Sequence, residues 1–211
     1  MDFVRLDLKR NRAWPWPEDS WGLDSMYGPD GWCRSCGIPL HEQTGPLTLQ
    51  ARGMSPVQGA WVPNWRFDTI CVESTLGARL SNVYRLEMRP IAWYRNVKGQ
   101  ALQIVVPTVE PAWFDSDALR RAAVARHGTA GQDCPECGVW RWMPLSSKQL
   151  PPVRSSKRWD DYDVVASPEW FGDGAQSYHE VFVRRALAHA IASASPKDFK
   201  VTEISQWSAV S

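Results

Sequence analysis

The sequence predicts an α+β fold, a single Trp-rich mixed domain, and three observations lead there. Hydrophobic residues make up 44% and charged residues 22% of 211 residues, a globular balance in a chain long enough to bury roughly 70% of its unfolded surface. Strand-like runs are scattered along the chain, while helical patterning is confined to a few segments. Two CxxCG motifs lie nearly half the chain apart, so a common site would tie both halves into one domain spanning 1–211.

Taken in order, Asp2–Leu8 alternates Phe3, Arg5 and Asp7 against Val4, Leu6 and Leu8, as a half-buried strand does. From Ala13 to Trp32 the Pro/Trp-rich segment has neither strand nor helix period and reads as an extended loop pinned by its rings. Leu47–Ala51, Asp68–Glu73 and Ala101–Pro107 read as strands, with a short helix expected over Leu80–Met88. Asp115-Ser116-Asp117 opens a helix through ALRRAAVARH, with acidic residues in its first turn, His127 in its last and Gly128 as its stop. The block at about 160–205 reads as strand, helix, strand: a strand over Asp161–Ala166, a helix start at Ser167-Pro168-Glu169, a helix through YHEVFVRRALAHAIAS, and a strand over Phe199–Ile204.

With 24 basic and 23 acidic side chains the net charge is +1, which gives no field for coating nucleic acid or an anionic membrane. Asp2, Arg5 and Asp7 interrupt the place where a secretory signal needs an apolar run, and no stretch approaches the ~20 apolar residues of a membrane span. A cytoplasmic protein with reduced thiols is expected. There, paired cysteines more often bind metal than each other.

Cys33-Arg34-Ser35-Cys36-Gly37 and Cys134-Pro135-Glu136-Cys137-Gly138 carry the strongest chemical signal. Two C-x-x-C knuckles facing each other make a four-thiolate tetrahedron, and Cys33, Cys36, Cys134 and Cys137 are expected to hold one structural zinc. A filled tetrahedron leaves no position for water or substrate, so a catalytic metal is not expected. Ordinary zinc ribbons keep their knuckles 15 to 20 residues apart; here the metal would act as a long-range staple rather than an autonomous finger.

The remaining candidates are weaker. Cys71 lies in the apolar run Thr69-Ile70-Cys71-Val72 and reads as a small buried hydrophobe rather than a nucleophile. His179 and His189 would share a face of the last helix as partly buried polar residues. Asp160, Asp161 and Asp163 offer an acidic patch for a basic partner, against the plainer reading of a solvated strand edge. The deaminase pattern fails on spacing, and no P-loop, dinucleotide fingerprint, nucleophile elbow or metalloprotease motif occurs. No enzyme is expected.

The order of strand, Trp21-Gly22-Leu23, first CxxCG, long middle, second CxxCG and a terminal block with VVASPEWF and VFVRRALAHAI resembles the double-CxxCG motif proteins, a paralogous family of myxobacteria. That family's members are regarded as cytoplasmic immunity proteins against toxins delivered by sibling cells. The resemblance implies a non-catalytic protein that binds and neutralises a cognate protein toxin, with no nucleic-acid or membrane partner. The alternative is a zinc-ribbon nucleic-acid- or ribosome-associated factor, which would cluster Lys and Arg around the knuckles; only Arg34, Arg141 and Lys148 lie nearby in sequence. Nothing in the sequence bears on oligomeric state.

Overall fold

The computed structural model describes residues 2–207 except 53, 55, 96, 98 and 155. The chain runs through β1 (Phe3–Leu8), β2 (Trp14–Pro15), α1 (Leu23–Tyr27), β3 (Thr48–Gln50), β4 (Ala60–Trp61), β5 (Ile70–Glu73) and α2 (Ser74–Ser81). It continues with β6 (Met88–Pro90), β7 (Ala92–Trp93), β8 (Ala101–Ile104), α3 (Ser116–His127), β9 (Gly131–Asp133) and β10 (Trp140–Trp142). A 3-10 turn (Lys157–Asp161) precedes β11 (Val164–Phe171), β12 (Tyr178–Arg184), α4 (Arg185–Ala194) and β13 (Phe199–Thr202). The mixed α+β class expected from the sequence is what forms.

The strands make a six-stranded sheet in the order β13-β1-β12-β11-β10-β9, a four-stranded sheet β4-β5-β8-β6 and a three-stranded sheet β2-β3-β7. In the six-stranded sheet only β10 and β11 run parallel. Its central strands are apolar on both faces, and the period-2 alternation sorts their side chains between two cores. Val4, Val164 and Val183 point to one face and pack with Leu187 and Ile191 of α4, Leu76 and Leu80 of α2, and Val72 and Ile104 of the four-stranded sheet. Phe3, Val165 and Phe182 point to the other, against Trp113, Trp159, Phe171 and Leu119 of α3. Trp113 stacks on Phe182 with ring centroids 5.0 Å apart and its Nε1 donates to the Val109 carbonyl at 2.8 Å, so the buried indole keeps its polar handle satisfied. A third core gathers Trp61, Cys71, Leu47, Leu49 and Met26.

The helix at Ser116–His127 forms with the expected caps: Asp115 accepts from the Ala118 N–H at 2.9 Å, and Gly128 ends it at φ 76°. Elsewhere the elements shift. The short helix lies at Ser74–Ser81, not Leu80–Met88, because Leu76 and Leu80, four residues apart, face the core while β6 begins at Met88. The Ala13–Trp32 segment is not wholly loop: it holds β2 and the five-residue α1, too short for a period to be read.

The largest correction is in the terminal block, which is strand, strand, helix, strand. Tyr178–Arg184 is a strand because Val181 and Val183 serve one core and Tyr178 and Phe182 the other, a double alternation that a helix cannot provide. Ser167-Pro168-Glu169 starts no helix. It sits inside β11 where the pairing register with β12 slips between Ala166 and Trp170, a bulge at which proline's missing N–H costs no ladder bond. Instead of capping, Glu169 accepts the Trp113 and Phe114 N–H groups at 2.7 and 3.1 Å.

Candidate metal centre

The two CxxCG segments fold into the same local structure although half a chain separates them. In the first, the Cys33 N–H donates to the Ile38 carbonyl and the Gly37 N–H to the Cys33 carbonyl, both at 2.8 Å. In the second, Cys134 donates to Val139 at 3.0 Å and Gly138 to Cys134 at 2.9 Å. Each turn leaves through its glycine in the left-handed region, at φ 75° for Gly37 and 70° for Gly138. That conformation explains the fifth residue of the motif, since a Cβ there is strained.

Facing each other, the knuckles place the Cys33 and Cys134 sulfurs 3.6 Å apart and the Cys36 and Cys137 sulfurs 3.6 Å apart. All four sulfurs lie within 4.8 Å of one another, and no disulfide joins them. Four thiolates about 2.3 Å from a central ion would sit ~3.8 Å apart along the tetrahedral edges. The cluster therefore fits a four-coordinate ion, and an all-sulfur tetrahedron suits zinc or iron. Among the described residues it is the group that could hold a metal.

Neighbouring groups fix the ligands. Ser177 donates its hydroxyl to the Cys36 carbonyl at 2.7 Å, tying the first knuckle to the turn before β12. Trp32 Nε1 and Arg34 Nη2 both donate to Asp24 Oδ1 at 2.9 Å, and the Arg34 guanidinium lies 4.2 Å over the Trp32 ring. Glu136 of the second knuckle accepts the Ser35 N–H of the first at 3.1 Å. Ile38, Val139 and Trp170 cover the apolar side.

The thiols are not equivalent before metal arrives. Burial pushes Cys33 and Cys36 up. Burial also pushes on Cys134, but the backbone N–H groups of Cys137 and Glu136 and the thiols of Cys36 and Cys33 outweigh it and bring it down to about 6.

The other sequence candidates disperse. Cys71 is fully buried in β5 within the third core, where burial pushes its thiol up, as an inert packing residue requires. His179 is on β12, not the last helix; it is half-buried against Trp170 at 3.6 Å between ring centroids, and desolvation lowers its pKa, while His189 is exposed on α4. The acidic patch breaks up: Asp160 and Asp161 are exposed, but Asp163 is buried and accepts from the Arg85 N–H at 2.7 Å and from Arg184 Nε at 2.6 Å. Ser177 and Glu136 escaped the sequence reading because each acts across the fold, and Asp24 because its contacts with Trp32 and Arg34 follow from a loop path that carries no local pattern. Among the described residues no helix is long and apolar enough to cross a membrane. In comparisons with known proteins, no family model, no curated protein and no solved structure matches the chain.

Proposed function

We propose that this protein is a non-catalytic immunity protein that binds and neutralises a cognate bacterial protein toxin, and that one structural zinc in the four-cysteine centre holds it together. The observation that carries the reading is the closed centre itself. Its four sulfurs lie within 4.8 Å of one another, close enough to fill a tetrahedron around one ion, and join residues 33–37 to 134–138. Such a site stabilises a scaffold and has no position left for a reacting molecule. The resemblance of the two knuckles and of the terminal block to the double-CxxCG proteins points the same way. Exposed Trp65, Phe67, Tyr94 and Trp207 supply aromatic anchors of the kind that dominate protein interfaces.

The nucleic-acid alternative gains no support from the surroundings of the knuckles. Arg34 is paired with Asp24, and Arg141 is buried with its Nη1 donating to the Gly174 carbonyl at 2.6 Å. Coexpression with a candidate toxin from a neighbouring reading frame tests the proposal. Restored growth together with a stoichiometric complex on gel filtration is expected. Neither rescue nor complex, with nucleic acid copurifying, would replace this reading by the alternative.

A further inference from the structure

β1 and β12 pair only at Phe3↔Arg184, Val4↔Val183 and Arg5↔Phe182. Beyond that point β1 continues to Leu8 on β13 alone, and the start of β12 runs along β11 alone. Where the two strands fork, a cleft of about 640 Å³ opens. The His179 N–H at the fork donates to Asp68 Oδ2 at 3.3 Å instead of to a strand.

Two features mark this cleft as a binding site. The first is an ion pair that is not closed. Glu180 lines the cleft, is 2% exposed, and its Oε1 has no hydrogen-bond partner among the described residues. Its Oε2 lies 3.0 Å from Arg5 Nη1, but Arg5 is shared, since its Nε lies 3.1 Å from Asp7. One guanidinium thus serves two carboxylates, Asp173 at the rim adds a third, and His179 is kept toward its neutral form by burial. The second feature is the walls. Trp21, Trp65, Phe67 and Tyr178 line them, and Phe67 meets Tyr178 edge-on at 5.6 Å. Trp21 and Trp65 both have left-handed backbone, at φ 48° and 64°. A bulky residue there is strained, and Trp65 remains 48% exposed, so burial does not offset the strain.

Negative charge and aromatic faces are what an organic cation needs, and the cleft sets the carboxyls of Glu180, Asp7 and Asp173 against one guanidinium, with Glu180 adding its full charge only above about pH 7. We infer that the cleft between β1 and β12 receives an ammonium or guanidinium group on an apolar stem, presented as a basic side chain of a protein partner. Only the source of that side chain rests on the proposed toxin partnership; the chemistry rests on the cleft. The metal centre holds one wall of it. The turn at 172–177 is tied to the first knuckle through Ser177 and Cys36, and a Cβ on Gly37 would stand 2.8 Å from the Ala175 carbonyl oxygen.

The test is a ligand-observed NMR titration, at about pH 8 where Glu180 is ionised, of the metal-loaded full chain with acetyl-Gly-Arg-Gly-amide, the same peptide with norleucine for arginine, and free agmatine. Saturable binding of the arginine peptide at roughly millimolar concentration is expected, with none of the norleucine peptide. Trp65→Gly should weaken it about threefold to thirtyfold while the melting temperature holds or rises, because glycine relieves the left-handed strain. Glu180→Gln should abolish the preference for arginine over norleucine. Equal binding of the two peptides, or binding of neither, would overturn the inference, as would a Trp65→Gly variant that melts lower and binds normally. Agmatine binding tenfold tighter than the peptide would overturn the choice of a protein side chain. Loss of toxin rescue in coexpression leaves each of these readings unchanged, so the two proposals fail separately.

Discussion

Gly37 and Gly138 hold equivalent places in the two knuckles, yet their surroundings differ. Nothing lies within 4 Å of where a Gly138 Cβ would be, whereas a Gly37 Cβ would meet the Ala175 carbonyl. Gly138→Ala should therefore cost only the left-handed strain, about 1 kcal/mol, and Gly37→Ala about 2 kcal/mol or more, measured by denaturant unfolding of the metal-loaded protein. Glu180 makes a second residue-scale prediction. Burial pushes its carboxyl up to about 7 against the pull of Arg5, with Asp7 adding to the rise. The folded state then binds this proton more tightly than the unfolded chain does. Its contribution is fully present below the ordinary pKa of 4.5 and is lost as pH rises through about 7. The stability difference between the natural protein and Glu180→Gln should drift by up to about 3 kcal/mol from pH 4.5 to pH 8, to the disadvantage of the natural protein as pH rises. A pH-independent difference would contradict the assignment.

The turn before β11, β12 and the segment after α2 meet at Asp163. Its carboxylate accepts from Arg184 Nε and from the Arg85 N–H, so Asp163→Asn should lose about 2–3 kcal/mol, while Asp161→Asn at the exposed neighbour should stay within ~0.5 kcal/mol. Equal effects in thermal unfolding would return Asp163 to the surface patch. The same region shows what a sequence makes legible at the level of elements. β1, the α3 helix and its caps, and the knuckles were readable because each is written locally, in an alternation, a capping pair or a spacing. The helix expected across Tyr178–Ser193 failed in its first half because Val181, Phe182 and Val183 serve two cores at once, and a run apolar on both faces carries no distinguishing period. Ser167-Pro168-Glu169 looked like a helix start because proline favours that place; only the register slip against β12 reveals a bulge. The cleft was invisible because it depends on where two strands part, although Glu180, a charge inside an apolar strand, was its one sequence trace.

Across the whole molecule, the first strand lies between the last two, and the four-cysteine centre joins residues 33–37 to 134–138. Neither residues 1–125 nor 126–211 hold a complete ligand set or a complete six-stranded sheet. Each fragment alone should lack a cooperative unfolding transition, as followed by calorimetry. Within the intact chain, Cys134→Ser should remove most of the metal affinity and lower the melting temperature sharply, since a structural zinc can contribute roughly 10–16 kcal/mol, comparable to the net stability of a domain. Metal analysis of the purified full chain, paired with thiol titration under native conditions, tests whether the four-cysteine centre is a metal staple. About one zinc per chain is expected, with Cys33, Cys36, Cys134 and Cys137 protected until a chelator or denaturant is added and a fall in melting temperature on chelation. Metal-free, stably folded protein with those four thiols freely reactive would contradict it.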